Sequence, residues 1–215
     1  MIVVTGFEPF GGHAANPSEE LAKAMDGRRF GGYAVRGAVL PVHHADAAAR
    51  VETLLAEVEP EAIVHLGLAN GRARVALERV ALNVLDYPLP DNAGRRVVNE
   101  PCAPGGPAAY FSTLPLGAML AALTAERIPA YISNTAGTYL CNQTLYGTLH
   151  ALARRARPPR AGFIHFPSLP SMVAVAELDE PSMDFGLMLR AVEVALDVVA
   201  RAEESPLASI MPCRP

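Results

Sequence analysis

Residues 34–68, AVRGAVLPVHHADAAARVETLLAEVEPEAIVHLGL, decide the fold class, because two apolar runs flank one helical pattern. The runs at 34–40 and 62–68 have the length and composition of buried strands. Between them, residues 45–58 place their apolar side chains on one side of a helix. This order is typical of parallel strands that are joined by a crossover helix.

The same alternation continues along most of the chain. Further strands are predicted at 2–5, 130–133 and 161–165, and further helices at 19–25, 107–126, 141–155 and 181–202. Pro115 is expected to break or kink the helix at 107–126. We therefore predict one α/β domain over residues 1–215, built on a single open, mostly parallel twisted sheet with helices on both faces.

Composition and charge exclude several classes of protein. The net charge is -4, and basic residues form only short pairs, so the chain lacks the positive surface of a nucleic-acid-binding protein. No segment approaches the roughly 18 apolar residues of a membrane span, and the N-terminus lacks the pattern of a signal peptide. The three cysteines, Cys102, Cys141 and Cys213, do not suit a disulfide framework. We expect a cytoplasmic protein that acts on small molecules or peptides.

In open α/β sheets, ligands bind beyond the carboxyl ends of the strands. This rule directs the search to residues 6–16, 67–83 and 134–142 and to the segment that begins at His165. The stretch 69–106 is too long for an ordinary connection, so it is expected to carry function or to contain a hairpin.

Cys141 is the candidate nucleophile, because residues 133–142, SNTAGTYLCN, leave a predicted strand and enter a predicted helix. The positive end of a helix stabilises a thiolate, so we expect a pKa below the value of about 8.5 of a free thiol. The same backbone amides would stabilise an oxyanion. The alternative is that Cys141 is a small buried apolar residue.

His165 is the candidate base, since it ends the apolar run 161–165 and we expect that strand to neighbour the one that leads to Cys141. The alternative is a core histidine with both ring nitrogens bonded to the backbone, which is the role expected for His65 in the middle of its strand. The spacing of the histidines predicts no zinc site.

Glu78 is a carboxylate among apolar residues, and burying it without a partner would be costly. It is suited to hold an imidazole in its reactive tautomer. A structural ion pair with Arg74 or Arg79 is the alternative.

The first loop, GFEPFGG at 6–12, matches neither glycine-rich phosphate motif, so a nucleotide site is disfavoured. Its two aromatic residues, Phe7 and Phe10, indicate instead a pocket for a flat, uncharged ring, or else packing in the core.

Together these motifs resemble the pyroglutamyl peptidase I family over nearly the whole chain. The matching segments are 4–12, 16–18, 78–83, 90–92, 107–115, 133–142 and 162–165. The resemblance implies a cysteine peptidase that removes an N-terminal pyroglutamyl residue from peptides through a thioester, without metal or cofactor and as a homotetramer.

The resemblance also implies roles for individual residues. Its catalytic set falls on Cys141, His165 and Glu78. Its substrate pocket falls on Phe7, Phe10 and Tyr139, with Asn16 at the polar edge of the lactam ring.

The sequence departs from the family at two places. Leu68 stands where Gln is usual, and Pro88 stands where an Arg near the oxyanion is usual. Two other functions therefore stay open: a catalytically silent protein that binds pyroglutamyl groups, and a nucleotide-binding enzyme of similar fold.

Overall fold

The computed structural model describes residues 1–176 and 179–202. The strands in this part of the chain are β1 (Ile2–Phe7), β2 (Arg29–Phe30), β3 (Tyr33–Leu40), β4 (Ala62–Leu68), β5 (Val75–Glu78), β6 (Val80–Leu82), β7 (Ala109–Phe111), β8 (Ala130–Ser133) and β9 (Arg160–Phe166). The helices are α1 (Pro17–Met25), α2 (His44–Val58), α3 (Leu116–Ala125), α4 (Leu140–Leu152), α5 (Pro170–Ala176) and α6 (Phe185–Arg201).

The central sheet has seven strands in the order β2-β3-β1-β4-β9-β5-β8. Strands β3, β1, β4 and β9 are parallel, whereas β2 is antiparallel to β3. Strand β5 runs antiparallel to β9, and β8 runs parallel to β5. A second, two-stranded sheet pairs β6 with β7. The prediction of an open, mostly parallel α/β sheet is confirmed, with a mixed edge at β5 and β8.

Successive side chains of the central strands enter two separate apolar clusters, as the period of two in a strand requires. Ile2 and Val4 of β1 join the cluster with α1, α3 and α6, whereas Val3 joins the cluster with α2 and α4. Helices therefore cover both faces of the sheet, as predicted.

The same alternation decides where the polar residues of β9 and β5 lie. Phe163 belongs to the cluster on the α2 and α4 face, and Ile164 to the other. His165 therefore lies on the α4 face of β9. Leu77 belongs to the α3 and α6 cluster, so Glu78 also lies on the α4 face.

The prediction of a helix at 107–126 is wrong in its first half. Ala109–Phe111 form β7, which pairs with Val80–Leu82, and only Leu116–Ala125 are helical. Tyr110 packs its ring 5.1 Å from that of Tyr146, and its hydroxyl lies 2.9 Å from His150 Nδ1. These tertiary contacts outweigh the helical propensity of the alanines, and Pro115 marks the helix start rather than a kink.

Other differences lie at short elements and element ends. The sequence pattern did not reveal β2, β5, β6 or α5, all of which are short. The last helix begins at Phe185 rather than at 181, because the Asp184 carboxylate accepts hydrogen bonds from the amides of Gly186 and Leu187 and so caps α6.

His65 is a core histidine, as expected from its place in β4. It is fully buried, and its two ring nitrogens lie 2.7 Å from Thr5 Oγ1 and 3.0 Å from Thr148 Oγ1. Side-chain hydroxyls, rather than the backbone, satisfy the ring. Burial lowers the pKa of His65 to about 3.

This buried histidine predicts a loss of stability in acid. The unfolded chain takes up a proton near pH 6.5, whereas folded His65 does so only near pH 3, so the contribution is complete above pH 6.5 and is lost as the pH falls. We expect a slope of roughly 1.4 kcal/mol per pH unit from this group. His65→Gln should reduce the slope of urea-unfolding free energy between pH 6 and pH 4, and an unchanged slope would contradict the assignment.

Candidate active site

Cys141 lies in the first turn of α4, as predicted. Tyr139 is the N-cap residue and its side chain makes no capping hydrogen bond. The turn that precedes it uses Gly137 at φ 80°, a backbone conformation that favours glycine. The first amides of α4 are therefore left without a side-chain cap beside the thiol, where they are available to an anion.

His165 and Glu78 are in direct contact. His165 faces Ala76 across the β9–β5 ladder, and Glu78 lies two residues further along β5. Their side chains reach each other diagonally, with 2.8 Å between His165 Nδ1 and Glu78 Oε1. Both are nearly inaccessible, at 4% and 0% exposure.

Arg72 completes the charged group. Its NH1 donates to the same Glu78 Oε1 at 2.7 Å. Glu78 Oε2 is buried and has no hydrogen-bond partner among the described residues. Ser133 lies close enough to lower the pKa of Glu78, but its hydroxyl donates to the Thr135 carbonyl at 3.1 Å. The alternative partners expected from the sequence, Arg74 and Arg79, are not the ones that Glu78 uses.

The protonation states follow from these contacts. Burial would raise the pKa of Glu78, but its hydrogen bonds with His165 and Arg72 hold it below its usual value. Burial lowers the pKa of His165, and although Glu78 opposes this, the net shift is downward. At neutral pH, Glu78 is therefore ionised and His165 neutral, so Nδ1 carries the proton and Nε2 is the basic nitrogen.

The expected low pKa of Cys141 is wrong for the resting protein. Burial raises the pKa of the thiol to about 12, and the negative charge of Glu78 adds to this, while Arg72 and the helix backbone act in the opposite direction. In the described chain no hydrogen bond joins the thiol to His165. The resting site therefore holds a neutral thiol and a neutral imidazole.

The strands of Cys141 and His165 are not adjacent, contrary to expectation. Strand β5 lies between β8 and β9 and carries Glu78. Because β8 runs opposite to β9, its carboxyl end points away from that of β9. Glu78 thus lies on β5, between β8, which leads to Cys141, and β9, which carries His165.

Aromatic rings surround the start of α4. The Tyr139 ring lies 5.9 Å from that of Phe10 and 4.7 Å from that of Tyr87. The Tyr139 hydroxyl donates to the Pro90 carbonyl at 3.1 Å, which fixes the ring. Phe10 and Tyr139 are partly exposed, so these two rings are accessible to a ligand.

The structure places Phe7 and Asn16 beneath this surface rather than on it. Phe7 is 2% exposed and stacks on Phe163 at 6.3 Å. Asn16 is 1% exposed and caps α1, since its Oδ1 accepts from the amide and hydroxyl of Ser18. Its Nδ2 donates to the Glu8 carbonyl at 3.1 Å.

Asn142, which the motif search did not single out, anchors the helix that carries Cys141. It is fully buried. Its Oδ1 accepts from the Leu82 amide at 2.9 Å, and its Nδ2 donates to the carbonyls of Leu82 at 2.8 Å and Val84 at 2.9 Å. Strand β6, which contains Leu82, directly follows Glu78 and Arg79. In the sequence, the one signal that pointed to this role was an asparagine directly after the candidate nucleophile.

The two departures from the family pattern lie in different environments. Leu68 is buried at the end of β4, opposite Phe166. Pro88 is exposed in the loop that follows Tyr87. Of the arginines in the neighbouring loop, Arg72 contacts Glu78, whereas Arg74 lies over the ring of Tyr131 at 4.5 Å.

A thiol at a helix start, together with an imidazole bonded to a buried carboxylate, is the residue set of an enzyme with a cysteine nucleophile. In the described part of the chain no group of His, Cys, Asp and Glu is arranged to hold a metal ion. None of the helices in residues 1–176 and 179–202 has the length and apolar character needed to cross a membrane.

The sequence profile of the pyroglutamyl peptidase family matches residues 1–202, and the chain belongs to this family. It is 44% identical to the pyrrolidone-carboxylate peptidase of Pyrococcus furiosus, covering 92% of this chain and 96% of the relative. It is 46% identical to the corresponding Gloeobacter violaceus protein, covering 96% and 99%. The crystal structure of the P. furiosus pyrrolidone carboxyl peptidase is similar with a TM-score of 0.89 at 44% identity, covering 92% of this chain and 97% of that one.

Asn142→Asp should test the anchoring of α4. The change keeps the shape but leaves the Leu82 and Val84 carbonyls without a donor, so we expect a loss of about 1–3 kcal/mol in stability. Displacing the helix start should also slow alkylation of Cys141 at least about tenfold.

Asn83→Asp is the matched control, because the Asn83 Nδ2 donates to the Ala103 and Gly106 carbonyls and, among the described residues, its side chain makes no hydrogen bond to α4. It should lower stability and leave Cys141 reactivity intact. Equal effects of both variants on alkylation would contradict the anchoring role.

Proposed function

We propose that this protein is a cysteine exopeptidase that hydrolyses the amide bond after an N-terminal pyroglutamyl residue. Cys141 is the nucleophile, His165 the general base and acid, and Glu78 the group that orients His165. One observation carries the proposal: the buried Glu78–His165 hydrogen bond of 2.8 Å lies on the sheet face covered by α4, whose first turn contains Cys141. Membership of the pyroglutamyl peptidase family supports the substrate class.

The reaction begins from a neutral pair. As the Cys141 sulfur attacks the pyroglutamyl carbonyl carbon, His165 Nε2 takes the thiol proton, so a thiolate need not exist beforehand. The uncapped amides at the start of α4 stabilise the negative charge that develops on the carbonyl oxygen. Glu78 stabilises the imidazolium that forms.

In the following steps, His165 first donates a proton and then accepts one again. The imidazolium donates its proton to the departing amine, the C–N bond breaks, and a thioester to Cys141 remains. His165 then takes a proton from water as the water oxygen attacks the thioester carbonyl. Collapse of that intermediate releases pyroglutamate and returns the proton to sulfur.

The aromatic surface at the helix start suits the lactam ring. A pyroglutamyl group is flat and carries no ammonium charge, so packing between Phe10 and Tyr139 needs no acidic residue. We assign Phe7 and Asn16 a supporting role, because Phe7 is buried against Phe163 and the buried Asn16 donates from Nδ2 to the Glu8 carbonyl of the first loop. A site that bonds the ring carbonyl should strongly reject prolyl analogues, which lack it.

The setting of the enzyme is also a proposal. We infer one catalytic domain over residues 1–215, acting without cofactor or metal as a cytoplasmic homotetramer. The unbroken family match over residues 1–202 supports the single domain. Cys102 and Cys141 are both free thiols, which fits a reducing compartment.

Hydrolysis of a pyroglutamyl fluorogenic amide tests the assignment. Cys141→Ala should lower turnover by at least roughly 10³, as expected when a nucleophile is lost. Cys102→Ala is the matched control. Its thiol is also part-buried, lies 3.4 Å from the Leu82 carbonyl, and has a pKa that burial raises to about 11, but it is not at a helix start.

Cys102→Ala should retain turnover, as should Cys213→Ala, whose position lies outside the described residues. Loss of activity in Cys102→Ala alone would overturn the site. Pyroglutamate binding by the parent protein without any hydrolysis would favour the silent binding protein, and stabilisation by ATP or NAD the nucleotide enzyme.

A further inference from the structure

We propose that Arg72 is a positioning residue of this reaction, which through its hydrogen bond to Glu78 Oε1 sets the position and charge of the carboxylate that orients His165. This inference rests on the proposed function. The family pattern implied an arginine at position 88, where the chain has Pro88.

Two donors converge on one oxygen. His165 Nδ1 lies 2.8 Å and Arg72 NH1 2.7 Å from Glu78 Oε1, while Oε2 has no partner among the described residues. Arg72 therefore donates to Oε1, the same oxygen that orients the imidazole, rather than to the unpartnered Oε2. A change in this contact is transmitted directly to His165.

The chain fixes Arg72 relative to the strand of His165. The turn that leads to Arg72 begins at Ala69, whose amide donates to the Phe166 carbonyl of β9 at 2.8 Å. Asn70 is held by Ser168, whose hydroxyl donates to its Oδ1 at 3.2 Å. Gly71 then adopts φ 75° to complete the turn. The loop and β9 thus form one unit around the Glu78 carboxylate.

The charge of Arg72 has a defined effect on each reacting group. Glu78 and Arg72 are the charged groups that act on His165, and they shift its pKa upward and downward respectively. The same two groups act on Cys141, where Glu78 raises and Arg72 lowers the pKa of the thiol. The phenol of Tyr139, whose pKa burial raises to about 12, is neutral at pH 7 and lies close enough to interact electrostatically with Cys141. Without Arg72, the buried Glu78 charge would be unopposed at both groups.

Arg72 differs in this respect from a surface ion pair. Its partner Glu78 is completely buried, and the Arg72 side chain itself is only 27% exposed. Screening by solvent is therefore weak, and the charge acts over the whole cluster. Arg74, two residues further along, has the same charge but contacts the ring of Tyr131.

The experiment compares Arg72→Gln with the matched control Arg74→Gln and with Arg72→Lys. Iodoacetamide labelling of the Cys141 peptide is followed by mass spectrometry from pH 5 to pH 10, and kcat/KM for the pyroglutamyl amide is measured over the same range. Labelling reports on Arg72 even if the protein hydrolyses no pyroglutamyl amide, so the two proposals fail separately.

In Arg72→Gln, we expect labelling to begin at higher pH than in the parent, because the thiol loses a nearby positive charge. The acid limb of kcat/KM should also move to higher pH, since His165 becomes easier to protonate, with a loss of at least about tenfold on that limb. Arg72→Lys, which keeps the charge, should restore both profiles towards the parent, and Arg74→Gln should leave them unchanged.

A loss of activity that is equal at every pH, with an unshifted labelling profile, would show that Arg72 has only a structural role. Equal shifts in Arg72→Gln and Arg74→Gln would show a general charge effect and would also overturn the proposal. If Arg72→Gln fails to fold, Arg72→Lys still tests it, because a shifted profile despite the retained charge contradicts the electrostatic role.

Discussion

The hydrogen bond between Glu78 and His165 is the interaction on which the site depends. A carboxylate with no exposed surface is costly unless charged or polar partners surround it. Strand β5 meets this requirement by running antiparallel to β9, which brings Glu78 diagonally opposite His165. The loop before β5 supplies Arg72 to the same oxygen. The antiparallel pairing of β5 with β9 is thus the means by which a buried charge obtains two partners.

Burial also determines how the chemistry begins. The low-dielectric surroundings disfavour both the thiolate and the imidazolium, so the resting pair is neutral. Charges develop only when the sulfur attacks, at which point the helix amides and Glu78 are already in place to stabilise them. The amides at the start of α4 therefore stabilise the charge that develops during the reaction, and not a thiolate–imidazolium pair in the resting site.

The sequence predicted those features that follow from local patterns. The strands at 62–68 and 130–133 were placed correctly, because continuous apolar runs between turn residues identify buried strands. Cys141 at the start of α4 followed from the order of strand, glycine turn and helix. Glu78 drew attention because a carboxylate among apolar residues requires a partner.

Features that depend on distant residues were not predictable in this way. Strands β6 and β7 are three residues each and are stabilised by pairing with each other, so neither shows a pattern of its own. The second partner of Glu78, Arg72, depends on a turn that only the fold brings close, and the alternative ion pair considered from the sequence involved Arg74 or Arg79. The thiol pKa depends on burial by the surrounding core, which outweighs the helix terminus. Asn16, which the resemblance places at the lactam ring, also caps α1, a role that its position before Pro17 and Ser18 fits.

The ionisation state of the resting thiol tests the central claim most directly. Infrared difference spectra between a protein with Cys102 and Cys213 replaced by alanine and the same protein with Cys141→Ala isolate the S–H stretching band of Cys141. The account predicts that this band is present at pH 7 and disappears only in alkaline solution. Its absence at pH 7 would mean that Cys141 rests as a thiolate paired with an imidazolium, and would contradict the neutral-pair mechanism.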